Sequence, residues 1–186
     1  MTTELASRQL SQDLRRRGAL ILSVFALVWA AAGTSGLTAP GRVVAGLTVA
    51  AALVSVTVAA LAFRFGGVET AGRARRLPTM WLRDVGRINI TQFIAIVAAA
   101  VIVSRLGAPA LVPVVICLIV GLHFLPLGRY FGQPQYFWTG GLLIAVAVAG
   151  FVVFGLGWTV ESVRALVGLG AAVVLWGSAF DVAVRG

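Results

Sequence analysis

The chain has 186 residues, of which 60% are apolar and only 11% charged, and its mean hydropathy is +1.00. A soluble domain carries about 25% charged residues to hydrate its surface, so an ordinary soluble fold is excluded. A single cysteine, Cys117, and a single histidine, His123, argue against a disulfide framework and a structural zinc cluster, and no metal site or cofactor is expected.

Met1 to Leu14 is polar and ends at Arg15-Arg16-Arg17. Residues 1–17 thus read as a cytoplasmic tail with room for a short surface helix. An apolar run follows at 18–37. Ala30-Ala31-Ala32-Gly33 resembles a small-residue cleavage site, but the chain beyond it is itself membrane-spanning, so the run is expected to stay as an uncleaved first helix. Thr38-Ala39-Pro40-Gly41 signals a tight turn, and the second run covers 42–63. Segment 64–87 is the longest polar stretch, with Arg64, Arg73, Arg75, Arg76, Arg83, Asp84 and Arg87. Within it, Met80-Trp81-Leu82 suggests a short amphipathic piece on the membrane surface.

The third run spans 88–106 and closes on Gly107-Ala108-Pro109. The fourth spans 110–127, and residues 128–137 read as a loop. The fifth and sixth runs cover 138–156 and 163–184. Each approaches the roughly 20 residues that cross a bilayer at 1.5 Å per residue. The expected fold is therefore all-α: one integral membrane bundle of six transmembrane helices over residues 18–186, divisible into three hairpins that could be repeats with pseudo-three-fold packing.

Orientation follows from arginine, which supplies all fifteen basic residues. With the amino terminus inside, Arg8, Arg15, Arg16, Arg17, the six arginines of 64–87, Arg129 and Arg185 are cytoplasmic, while only Arg42, Arg105 and Arg164 lie outside. Short positively charged loops are retained in the cytoplasm, which predicts both termini inside. The net charge of +9 then serves the anionic inner leaflet, at roughly 1 kcal/mol per residue near the surface, and no nucleic acid is expected. Arginine without lysine, on an Ala-, Gly- and Val-rich chain, fits a GC-rich bacterial genome, and hence an inner-membrane location.

Polar side chains inside spans are costly without a partner or a wet cavity. His123 can carry protons or join two helices through a hydrogen bond. Pro126 frees the carbonyl of Leu122 one turn before it. Asn89 and Gln92 share a face at the start of the third span. Ser178 and Asp181 share one near the end of the sixth. With Arg129 just above His123, these groups fall at one depth near the cytoplasmic end, which predicts a polar cavity opening there. The small residues Gly140-Gly141, Gly150, Gly155, Gly168, Gly170 and Gly177 permit close helix packing, within or between subunits, and a homo-oligomer is expected.

The segment Gly121-Leu122-His123-Phe124-Leu125-Pro126-Leu127, followed by Arg129, Tyr136 and Thr139-Gly140, resembles one found in small uncharacterised multi-pass membrane proteins of bacteria. The resemblance implies a bacterial membrane location and carries no activity. The leading expectation is a protein that binds or transports a small solute or lipid-like molecule. One alternative is an intramembrane enzyme on a lipid or isoprenoid substrate, with His123 and Asp181 as acid and base. The other is an accessory or scaffold protein without a solute site. The absence of any motif gives mild support to the accessory or scaffold reading.

Overall fold

The computed structural model describes residues 2–65 and 81–185, with the side chains of 16–41, 43–64 and 83–184. Of the surface piece expected at Met80-Trp81-Leu82, Trp81 and Leu82 form the start of a helix, while Met80 lies outside the described residues with Arg73, Arg75 and Arg76. Six α-helices follow one another: α1 (Thr2–Thr34), α2 (Gly41–Phe65), α3 (Trp81–Arg105), α4 (Val112–Phe131), α5 (Pro134–Gly155) and α6 (Val160–Arg185). A 3-10 turn at Pro109–Leu111 precedes α4. All six are long and apolar enough to cross a membrane, and no strand occurs among the described residues. The bilayer explains why even Val-rich α2 is helical: without water, each backbone N–H and C=O must be satisfied inside its own segment.

Several boundaries differ from those read off hydropathy, each for a local reason. The polar tail is continuous with the first span, so α1 runs unbroken from Thr2. α3 begins at Trp81, before the apolar run, so Arg83, Asp84 and Arg87 occupy its first turns. α4 continues through Pro126 as far as Phe131. There Gly132 takes a left-handed conformation (φ 60°) and returns its N–H to the Gly128 carbonyl, a common helix stop. Pro134 then opens α5, where a missing N–H costs nothing. The expected loop of 128–137 thus shrinks to Gly132 and Gln133. Thr159 caps α6 by accepting a hydrogen bond from the Ser162 N–H at 3.2 Å.

The three hairpins do not hold equivalent places. α6 is central and packs against α1, α2, α4 and α5, whereas among the described residues α3 touches only α4 and the 3-10 turn. Close approach is set by glycine. A Cβ on Gly168 would run into the Gly33 backbone of α1. On the α4–α5 side, a Cβ on Gly121 would lie 2.9 Å from the Gly140 carbonyl oxygen, and one on Gly140 would lie 2.7 Å from that of Gly121. Gly150 of α5 leaves the notch that receives Val167 of α6 and Val114 of α4. Around these contacts Ala171, Ala172, Leu175, Ala179 and Ala183 of α6 are buried.

Side-chain contacts fix which helix ends meet. The Arg16 guanidinium of α1 lies over the Phe63 ring of α2, 5.8 Å from its centre. Tyr130 of α4 reaches Asp84 of α3, and Thr139 of α5 meets Ser178 of α6. The starts of α1, α3 and α5 therefore share one end of the bundle with the ends of α2, α4 and α6. Arg16, Arg17, Arg64, Arg83, Arg87 and Arg129 gather there, while Arg105, Glu161 and Arg164 mark the opposite end.

Overpacking a tight helix contact costs about 1–3 kcal/mol, so Gly168→Val is expected to lower the unfolding temperature in detergent by several degrees or to prevent assembly. Gly46→Ala, on α2 with nothing within 4 Å of the place its methyl group would take, should leave stability unchanged or raise it by up to about 1 kcal/mol. Thermal unfolding of the two variants side by side checks the pair.

Candidate functional site

The site begins with what α3 lacks. No residue of its span is buried, and Ile90 and Phe93 are 62% and 69% exposed. With one neighbouring helix among the described residues, α3 leaves most of its surface uncovered by them. Where it faces α4 a groove of about 460 Å³ opens. The α3 wall is Arg87, Ile88, Thr91, Gln92 and Ala95; the α4 wall is Ile119, Leu122, His123 and Pro126. Spacings of three and four residues on both walls are the rows that share one helix face, and the rows run antiparallel.

One end of the groove is fastened. The Tyr130 hydroxyl donates to Asp84 Oδ2 at 2.8 Å, joining the last turn of α4 to the first of α3. Asp84 suits that position because the amino end of a helix favours negative charge. Arg83 Nε stands 3.9 Å from Asp84 Oδ1 with its side chain over half exposed, a weak addition. Beyond this clasp the groove changes character along its length, from Arg87 at the arginine-rich end, through Thr91, Gln92 and His123, to Ala95 and Ile119.

His123 is half-buried and packs edge-on against Phe124, with ring centres 6.0 Å apart at 76°. Phe124 in turn stacks on Tyr136 of α5 at 5.9 Å, so the imidazole is backed by a row of rings. Neither Gln92 nor His123 takes a hydrogen-bond partner from the other described residues. Two polar side chains at membrane depth, facing a groove, are left for water or a ligand to satisfy.

The other residues expected around one cavity are divided between two places. Asn89 is exposed on α3 but does not line the groove. Arg129 is exposed in the last turn of α4. Ser178 and Asp181 lie on α6, which α3 does not contact. The hydroxyls of Ser178 and Thr139 are 2.6 Å apart. Thr139 also bonds the Gln135 carbonyl and Ser178 the Val174 carbonyl, both at 2.9 Å. That cluster is an interhelical tie with its hydrogen bonds made. Asp181 is itself engaged in an interaction. Arg87 and Thr91 also line the groove, with the i, i+4 row from Arg87 through Thr91 to Ala95 as their sequence signal, and Tyr130 closes its end through Asp84. No group of three or more metal-ligating side chains occurs among the described residues.

A second groove, of about 420 Å³, lies between α2 and α6 against Leu53, Val54, Val58, Leu61, Trp176 and Phe180. Its polar groups are occupied: the Trp176 indole N–H donates to Ser55 Oγ at 2.9 Å, and Thr57 bonds the Leu53 carbonyl at 2.8 Å. It offers shape to an acyl chain and no recognition, which leaves the α3–α4 groove as the candidate site.

Residues 6–178 match the model of a family of unknown function, DUF7010, and the chain belongs to that family. No curated protein and no solved structure matches it.

Tyr130→Phe should free the first turns of α3 at a cost of about 1 kcal/mol, that of one hydrogen bond. Hydrogen exchange in nanodiscs should show faster exchange over residues 84–92 with α5 and α6 unchanged. Equal protection in both proteins would mean the clasp does not hold α3.

Proposed function

We propose that this member of the family binds a lipid-like molecule in the groove between α3 and α4, and does so in a bacterial inner membrane with both termini in the cytoplasm. The observation that carries the reading is the pair Gln92 and His123: polar, without partners among the described residues, and lining a groove whose outer surfaces face lipid. A polar side chain in that position is stabilised by a ligand that brings hydrogen-bonding groups to the same depth. An amphiphile does so while its chain covers Ala95, Ile119 and Leu122.

Binding is favoured over passage of a solute because the groove turns apolar at Ala95 and Ile119. The outer half of α3 continues with Val97, Val101 and Ile102, all exposed, so no polar path continues along it. An acid–base pair of His123 and Asp181 is not favoured, since the groove that His123 lines receives nothing from α6.

Photocrosslinking in nanodiscs with a mixture of diazirine-bearing phosphatidylcholine and phosphatidylglycerol tests the site. Labelling is expected to concentrate on residues 88–95 and 119–126, and Ala95→Trp, which fills the groove, should reduce it at least about fivefold, the loss of roughly 1 kcal/mol of binding. Label spread evenly over the exposed faces of α2, α3 and α5 would mean ordinary boundary lipid and would sink the reading. Orientation is tested separately with single cysteines: Gly157→Cys should react with an impermeant thiol reagent on intact cells, and Gly132→Cys only after lysis.

A further inference from the structure

We infer that the lipid held between α3 and α4 carries an anionic head group, seated on Arg87; this rests on the lipid-binding reading above. The groove is graded along the bilayer normal. Arg87 lines the end nearest the interface, Thr91, Gln92 and His123 come next, and Ala95 and Ile119 lie deepest. At 1.5 Å per residue, Arg87 and Ala95 are about 12 Å apart along α3. That is the order in which a phospholipid presents a charged phosphate, its glycerol esters and its chains. The Gln92 carboxamide and the His123 imidazole can each donate to ester or phosphate oxygens.

The local charge selects the head group. Among the described residues the groove lining contains no carboxylate. Asp84, the nearest acid in sequence, already accepts the Tyr130 hydroxyl and has Arg83 beside it. Among the described residues no carboxylate pairs with Arg87, and Arg129 adds positive charge at the same end of α4. A guanidinium held at an interface and unpaired among the described residues suits a phosphate that can accept two of its donors at once. A choline head would bring its own cation to the same place.

The test compares two photoactivatable lipids in nanodiscs of unlabelled phosphatidylcholine, identical in their chains and differing in bearing a glycerol or a choline head group. The phosphatidylglycerol probe is expected to label residues 88–95 and 119–126 about fivefold more than the choline probe, the preference that one basic residue near a membrane surface confers. Arg87→Gln should bring the two to equality, Arg87→Lys should keep most of the difference, and Arg105→Gln, at the far end of α3, should leave it intact. Equal labelling of the groove by both probes in the unaltered protein overturns the anionic head group while the lipid site stands. Label spread evenly over α2, α3 and α5 with both probes overturns the site itself. Loss of the preference on adding excess inorganic phosphate assigns Arg87 to a free anion and overturns the lipid head group.

Discussion

Apolar side chains gain little by leaving lipid for protein, so a helix bundle in a bilayer holds together where backbones come close enough for dense packing and for short interhelical hydrogen bonds. In this chain that condition is met along α6. Gly168 meets Gly33, a Cβ on Gly36 would meet the backbone of Glu161 and Ala165, and Val167 enters the notch left by Gly150. The buried alanines toward the end of α6 continue the same surface. The Trp176–Ser55 and Thr139–Ser178 bonds then tie α6 to α2 and α5. Five helices gain their positions from this one surface, directly or through the Gly121–Gly140 contact between α4 and α5.

α3 is the helix that this device does not reach. Its one glycine, Gly86, would have nothing within 4 Å of an added methyl group, and it buries no residue in its span. It is retained by the Tyr130–Asp84 hydrogen bond at one end and by the connection through Pro109–Leu111 at the other. Between those two points no glycine of α3 lets the backbones approach closely, and the groove opens beside their contact. The site thus arises from missing glycine contacts as much as from the polar residues that line it.

The same physics explains what could be read from the sequence. Membrane spanning depends on a sum over some twenty consecutive residues, so six hydrophobic runs gave six helices. Gathering of the arginines at one end likewise follows from counting along the chain once the helices alternate. Neighbour choice is different, because it depends on pairs such as Gly33 with Gly168 or Gly121 with Gly140, far apart in sequence and indistinguishable from other small residues there. The three equal-looking hairpins therefore gave no hint that α6 would be central and α3 peripheral. Asn89 and Gln92 illustrate the finer scale: three residues apart on one helix, they suggested a common cavity, yet only Gln92 falls on the row facing α4. Ser178 appeared to belong with them by depth alone, and depth does not specify which side of the bundle a residue faces. Local stops were legible in part: Gly132 and Pro134 carry the chemistry of a helix end and a helix start, but Pro126 drew the boundary too early because a proline near the end of a spanning helix need not break it.

The two grooves, compared, show why loose packing alone does not make a recognition site. Both have similar volume and both open beside helices rich in exposed apolar side chains. Between α2 and α6 the polar atoms serve the protein, since Trp176 is spent on Ser55 and Thr57 on its own helix. A chain lying there would meet only shape, and its replacement by another chain would change little. Between α3 and α4 the polar atoms remain open, and they are ordered by depth. A molecule entering there would satisfy Gln92 and His123 and add contacts between the two helices. Because such a molecule would touch α3 and α4 together, its binding energy would also favour their association, coupling occupancy to the position of α3 through the same few residues.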